Sequence, residues 1–417
     1  MTTGTHPRRS LNSVYSAETL AELQQSYPRF LQGAYGGIIQ PQLGGEEKRK
    51  LAHVRFIFPL NIPGQEPFGF RSGDNTIYLS IASLKLINDL LLAYCWLGHN
   101  HYTPNTIDDY LLMLARWSSD SRPPEPLLAL GIPANARDDP KTDELTNEYV
   151  KHTYLFILLH ELGHLLHNDP PAVTQSPERT QAQESRADQF ALNVLGRCGM
   201  VSTGIAQFFG WAWAFMPFRS DYADEAAYME TILHQTHPLT TERLRQVAID
   251  IESNAESYAI DSKPETLSTF NDLSRELRRV AALKGDPDMQ SIAAQRGKTI
   301  EPQDLAPRRQ NELIGTAVGR EISHGPFDGR LVGTLGFGQV SYDFEVLLEN
   351  QSGHVTGIFA TQTEIGHIDG VITDNALQFA WRSGEQRGRG VLRLEAGTYE
   401  GAVGPAIWKL RPAPSPH

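Results

Sequence analysis

Apolar positions recur along this chain with two different periods, and the change falls near residue 314. Between residues 141 and 284 they repeat every three or four positions, the stripe that one face of a helix presents to a core. A helix capped by Thr146 and Asn147 is expected to run to His167, where Asp169-Pro170-Pro171 stops it, because proline cannot donate to the helix ladder. A second helix spans about Glu178 to Cys198 and closes at Gly199; others cover roughly 202–216, 222–235, 241–259 and 265–283. Upstream, Val54–Leu60 and Asn75–Ser80 read as strands, and Ile81–Leu97 and Ile107–Trp117 as helices. Residues 1–50 read as an N-terminal extension with a helical start near Ala17–Ser26, and residues 51–284 as one domain. Residues 285–313 are polar, carry three prolines and read as a linker. From Ile314 onward the runs are short and rich in β-formers: Leu331–Leu335, Val340–Leu348, Val355–Thr361, Gly366–Thr373, Ala376–Arg382, Gly388–Leu394, Tyr399–Val403 and Trp408–Arg411. Their even spacing predicts a C-terminal antiparallel β-barrel or sandwich over 314–417. The fold class expected is therefore α+β, mainly helical with a small edge sheet, then the β domain.

Composition narrows the function classes. The 417 residues are 40% hydrophobic and 21% charged, and mean hydropathy is −0.35, ordinary for a globular chain. A formal net charge of −12 and a pI near 5.6 argue against nucleic acid or an anionic membrane as main partner. The two cysteines, Cys95 and Cys198, fit no metal or redox spacing and read as free thiols, which suits a reducing compartment. The first residues lack the apolar stretch of a secretory signal. No run reaches the ~18 apolar residues of a membrane span; Ile205–Phe218 comes nearest and reads first as a buried core helix and second as an interfacial segment.

The chemistry lies in the helical part. The apolar run Phe156–His167 contains His160-Glu161-Leu162-Gly163-His164. Histidines four apart on a helix stand almost one above the other, so both imidazoles can reach one small cation. Zinc suits such donors, taking imidazole nitrogens at about 2.0–2.1 Å in roughly tetrahedral geometry. Glu161 lies beside that point, where its carboxylate can take a proton from water acidified by the metal. Gly163 keeps the face open to a second helix. The five-residue pattern also arises by chance, so an ordinary core helix is the competing reading, and two further segments weigh against it. Glu184, twenty residues past His164, can return on the next helix as a third ligand. Asp188, one turn on, can accept a hydrogen bond from the far nitrogen of a liganding histidine, and Ala187 and Ala191 keep that face thin. His237-Pro238 with Arg243 could set a donor and a cation over a reacting carbonyl and steady an oxyanion; a helix cap with a solvated arginine is the plain alternative. His167 shares the face of His160 and His164, but a fourth ligand would close the position that water needs, so it reads as an outer or surface group. His99 and His101 fit no ligand spacing, and His152 reads as a rim residue or as facing another neighbour.

Taken in order, His160–His164, Glu184-x-x-x-Asp188 and His237-Pro with Arg243 resemble the gluzincin metallopeptidases, nearest the branch of the CAAX-prenyl and HtpX-like proteases. The resemblance implies a zincin-like domain with one Zn2+ per chain on His160, His164 and Glu184, and Glu161 as general base. It implies that Asp188 orients a ligand and that His237 and Arg243 assist at the transition state. It also implies that Thr76, Ile77, Tyr78 and Leu79 form an edge strand on which an extended substrate pairs through its backbone. It spans about Asp74 to Val247 and departs from the membrane-embedded members in having no spanning helices, so a soluble, cytoplasmic relative is implied. Soluble bacterial peptidases with the same five-residue motif, the phage-exclusion and repressor-cleaving types, form a second family expectation. The expected function is hydrolysis of peptide bonds in a peptide or protein, by an endopeptidase before an exopeptidase. The competing expectation is a latent or inactive peptidase-fold protein, a regulatory or binding module of stress or phage defence controlled by a ligand or partner at its C-terminal β domain. Trp381 and Trp408 of that domain read as core, and the proline-rich stretch Asn168–Gln183 as a border and gate of the cleft.

Overall fold

The computed structural model describes residues 14–412 apart from 63–66, 103, 118–121, 171–173, 202, 216–217, 234–236, 260–262, 286–289, 291–292, 295–296, 308–325, 338–339, 352, 361–364, 384–385, 396 and 404–405. The chain divides into two compact units, Met1–Pro307 and Arg308–His417.

The first unit opens with α1 (Ala17–Ala34), capped by the Ser16 hydroxyl, which accepts from the Thr19 amide. A wider turn at Tyr35–Ile39 leads to α2 (Gln40–Gln42) and α3 (Gly45–Lys50). The expectation of an appended extension is corrected here. Val14, Tyr15, Leu20, Leu31, Ile39 and Leu43 all join the main core, and the Tyr15 hydroxyl donates to buried Asp89 at 3.1 Å. Enough apolar surface is carried on one side of this segment to make burial favourable, about 25 cal/mol per Å2 removed from water.

Three short strands follow: β1 (Arg55–Ile57), β2 (Phe70–Gly73) and β3 (Thr76–Leu79), in the order β1-β3-β2. Asp74 and Asn75, both at positive φ, make the two-residue turn between β2 and β3. β1 runs parallel to β3 on its other side. The strand expected at the sheet edge is therefore the central one: β3 is hydrogen-bonded along both sides, so an incoming peptide cannot add to it. The free edges belong to β1 and β2. The β2 sequence, FRSG, has too little apolar alternation to announce itself.

Helix α4 (Ile81–His99) is the one described helix long and apolar enough to cross a membrane, and 72% of that window is buried inside the unit. After α5 (Asn105–Ala115) and α6 (Pro126–Ala129) comes α7 (Pro140–His167), which starts earlier than expected. Asp139 caps it, accepting from the Thr142 amide at 2.8 Å, with Pro140 in the first turn; Thr146 lies inside, its hydroxyl bonded to the Thr142 carbonyl. Every residue from 152 to 164 is buried, so α7 runs through the middle of the unit. Then follow α8 (Pro177–Arg197), α9 (Thr203–Ala212), α10 (Glu225–Leu233), α11 (Thr241–Ser253), α12 (Ala255–Tyr258) and α13 (Pro264–Gly285). The helix expected over 241–259 breaks at Asn254. In the stretch Ile205–Phe218, Phe209, Trp211, Phe215 and Phe218 are buried, as a core segment requires. Part of the expected linker also packs: Ala293, Ala294 and Leu305 sit in the main core, whereas 308–313 lie outside the described residues.

The second unit is β4 (Gly329–Phe337), β5 (Val340–Gln351), β6 (His354–Ala360), β7 (Ile365–Thr373), β8 (Ala376–Ser383), β9 (Gln386–Glu395), β10 (Thr398–Val403) and β11 (Ala406–Pro412). Each strand pairs antiparallel with the next and β11 returns to β4, so the sheet closes as an up-and-down barrel rather than a sandwich. Trp408 is 1% exposed, with the rings of Phe344, Phe359 and Phe379 at 4.7, 5.1 and 5.8 Å. Glycine is required beside two of these rings: a Cβ at Gly366 would fall 2.0 Å from Phe359, and one at Gly390 2.5 Å from Phe379. Trp381 packs partly buried against Phe359, so both tryptophans serve the interior.

Candidate metal centre

The centre is built where α8 packs on α7. At Gly163 a Cβ would stand 2.9 Å from the Ala187 Cα, so the two backbones meet there with no side chain between them. Close approach at that point aims His160 and His164 of α7 and Glu184 and Asp188 of α8 into one shared space.

The Nε2 atoms of His160 and His164 lie 3.1 Å apart. Glu184 places one carboxylate oxygen 3.5 Å from the first and the other 3.4 Å from the second. His237, just ahead of α11, adds Nδ1 at 3.1 Å from Glu184 Oε1 and 3.4 Å from His160 Nε2. One ligand atom from each of these four residues falls within 4.8 Å of the others. A carboxylate stands beside each far nitrogen: His160 Nδ1 lies 2.8 Å from Asp188 Oδ1, and His164 Nδ1 is hydrogen-bonded to Asp169 Oδ2 at 3.0 Å. When the rings are neutral with their protons on Nδ1, two nitrogen lone pairs and a carboxylate converge on one point, an arrangement that a metal cation, or protons on the rings, would satisfy. This donor set fits a divalent metal. Glu161 is buried beside it, with Oε1 3.5 Å from His237 Nε2 and Oε2 without a hydrogen-bond partner.

Arg243 compensates the negative side. It is buried, and each of its guanidinium nitrogens is engaged: Nη1 with Glu184 Oε2 at 2.6 Å, Nε and Nη2 with Asp188 at 2.7 and 2.8 Å. Burial pushes the Glu184 and Asp188 carboxyls up, but Arg243 and the histidines outweigh it and hold both below their ordinary values. Burial lowers His164, yet Asp169 and Glu184 more than reverse this and raise it to about 10. The sequence places Arg243 near a reacting carbonyl; the structure seats it beneath the two carboxylates, because α11 packs its first turn against α8.

The other candidates separate cleanly. His167 is exposed at the end of α7, His99 lies 3.4 Å from Asp139, and His152 is buried away from the cluster, 4.0 Å from Glu148. Thr76, Ile77, Tyr78 and Leu79 form β3, the middle strand of the small sheet, not an edge. The stretch read as a gate falls partly on 171–173, outside the described residues; its last part, from Pro177, is the first turns of α8. Asp169, which meets His164, carries no signal in the spacing of ligand types; its only mark is its place directly after the helix end.

Comparison with known proteins covers this region. Residues 113–262 match the family model described as Peptidase U49, whereas no curated protein and no solved structure matches the chain. Over that span, which holds α7, α8 and α11 with the whole cluster, the chain is similar to Peptidase U49, and the match supports a peptidase.

Proposed function

We propose that this chain is a zinc-dependent peptidase of gluzincin type, with His160, His164 and Glu184 as metal ligands and Glu161 as general base. The observation that supports it most is the convergence of two Nε2 atoms and one carboxylate beside a buried Glu161 whose second oxygen is unpartnered. When bound, zinc would polarise the scissile carbonyl and lower the pKa of the attacking water. Glu161 takes the proton from that water and returns it to the leaving amine. His237 is the most open member of the cluster, at 26% side-chain exposure, so among these groups its ring is the one best placed to donate to the developing oxyanion. Asp188 orients His160, and Arg243 acts through the carboxylates it holds rather than on substrate. The peptide pairs with β2, the free sheet edge that packs against α7, in place of β3. A cytoplasmic setting belongs to the same reading and rests on two free cysteines.

The test is zinc content together with casein cleavage. The parent chain is expected to carry about one zinc and to cleave, and both properties should vanish in His164→Ala and Glu184→Ala. A parent that takes up no zinc when it is supplied, or that cleaves equally well without it, overturns the reading.

A further inference from the structure

The turn that ends α7 does more than stop the helix. Asn168 adopts the left-handed conformation, φ 51°, and folds the chain back on the last turn. The Asp169 amide then donates to the His164 carbonyl at 3.0 Å, and its carboxylate reaches the ring of the same histidine. Oδ2 lies 3.0 Å from His164 Nδ1, while Oδ1 accepts from Arg186 Nη2 at 2.7 Å. Asp169 is almost wholly buried, with 4% of its side chain exposed, whereas Arg186 is 51% exposed.

The arrangement repeats the one at His160, where Nδ1 faces Asp188 and Asp188 is held by Arg243. The two imidazole planes stand 89° apart, yet both turn Nε2 to a common point. A ring has two ways to fail as a ligand: it can rotate about its bond to Cβ, or carry its proton on the wrong nitrogen. A carboxylate fixed on Nδ1 prevents both and makes Nε2 a better donor.

We infer that Asp169 and Arg186 are positioning residues of the metal centre, Asp169 fixing the plane and tautomer of His164, and Arg186 fixing Asp169 from the surface. This rests on the zinc-site reading above. An ion pair that merely secured the end of α7 would stabilise the fold and leave metal affinity alone, so the two roles can be told apart.

The experiment measures zinc dissociation constants by chelator competition on the full chain, and the melting temperature of each metal-free protein. Asp169→Ala is expected to weaken zinc about 10- to 100-fold, with Asp169→Asn between it and the parent. Arg186→Gln should weaken zinc several-fold while Arg186→Lys, which keeps a cation there, restores most of it. Melting of the metal-free forms should stay close to the parent. Asp169→Asn and Arg186→Gln carry the test if Asp169→Ala fails to fold. Undiminished zinc affinity in Asp169→Asn and Arg186→Gln, or losses that simply track melting temperature, would overturn the inference. A parent that binds no zinc would instead overturn the site itself.

Discussion

Glu161 and His152 lie on the same buried helix and differ in what burial does for them. Glu161 stands beside the donor cluster with one oxygen unpartnered, which suits the base role proposed for it. Glu161→Gln is expected to keep about one zinc by elemental analysis while casein cleavage falls by at least ~10²-fold; activity near that of the parent would refute the base assignment. His152 has no such partner. Burial, with Lys151 nearby, pushes it down to about 4, against about 6.5 in an unfolded chain. Between those values the unfolded chain holds a proton that the folded chain does not. This group's contribution to stability is therefore intact above pH 6.5, falls as pH drops towards 4, and levels off below. Melting curves across that window should be flatter for His152→Phe than for the parent, and parallel curves would count against it. Arg243 is the third case. Arg243→Met would leave Glu184 and Asp188 buried and uncompensated, a loss of about 3–5 kcal/mol in denaturant titrations; a loss below ~1 kcal/mol would mean that solvent reaches the pair.

At the level of elements, the site depends on how closely α8 approaches α7. The thin face was legible in the sequence as Gly163, Ala187 and Ala191. The structure adds the contact, since a methyl at Gly163 would press on the Ala187 backbone. Gly163→Ala is expected to cost about 1–3 kcal/mol by separating the helices, and zinc affinity should fall with it; unaltered stability and affinity would show that the helices can shift freely. The helices of this domain were legible because their apolar stripes are long and sustained. Their starts were less so: the cap of α7 is Asp139, seven residues ahead of Thr146, because a cap is defined by backbone geometry that Thr, Asn and Asp all accommodate. The small sheet was least legible. A four-residue strand such as β2 gains its stability from its neighbours, so its presence, and the central place of β3, could not be read from local pattern.

At the scale of the molecule there are two compact units with separate cores, one around α4 and α7 and one around Trp408. Units with separate cores tend to unfold separately. Calorimetry of the full chain is expected to resolve two transitions, only the first unit's rising on addition of zinc; one transition that shifts as a whole would refute this independence. The sequence by itself determined the α+β class and the β-rich C-terminal region, and it singled out His160, Glu161, His164, Glu184 and Asp188 as candidates, because periodicity and ligand spacing along a helix are local properties of the chain. Only the tertiary structure decided that the β region closes into a barrel, that residues after Val14 belong to the core, that β3 is central, and that Arg243 serves the carboxylates. It alone brought Asp169 and Arg186 to His164. Apart from the turn that brings Asp169 to His164, each of these depends on which surfaces meet across separations in sequence, and that is settled by packing the whole core at once.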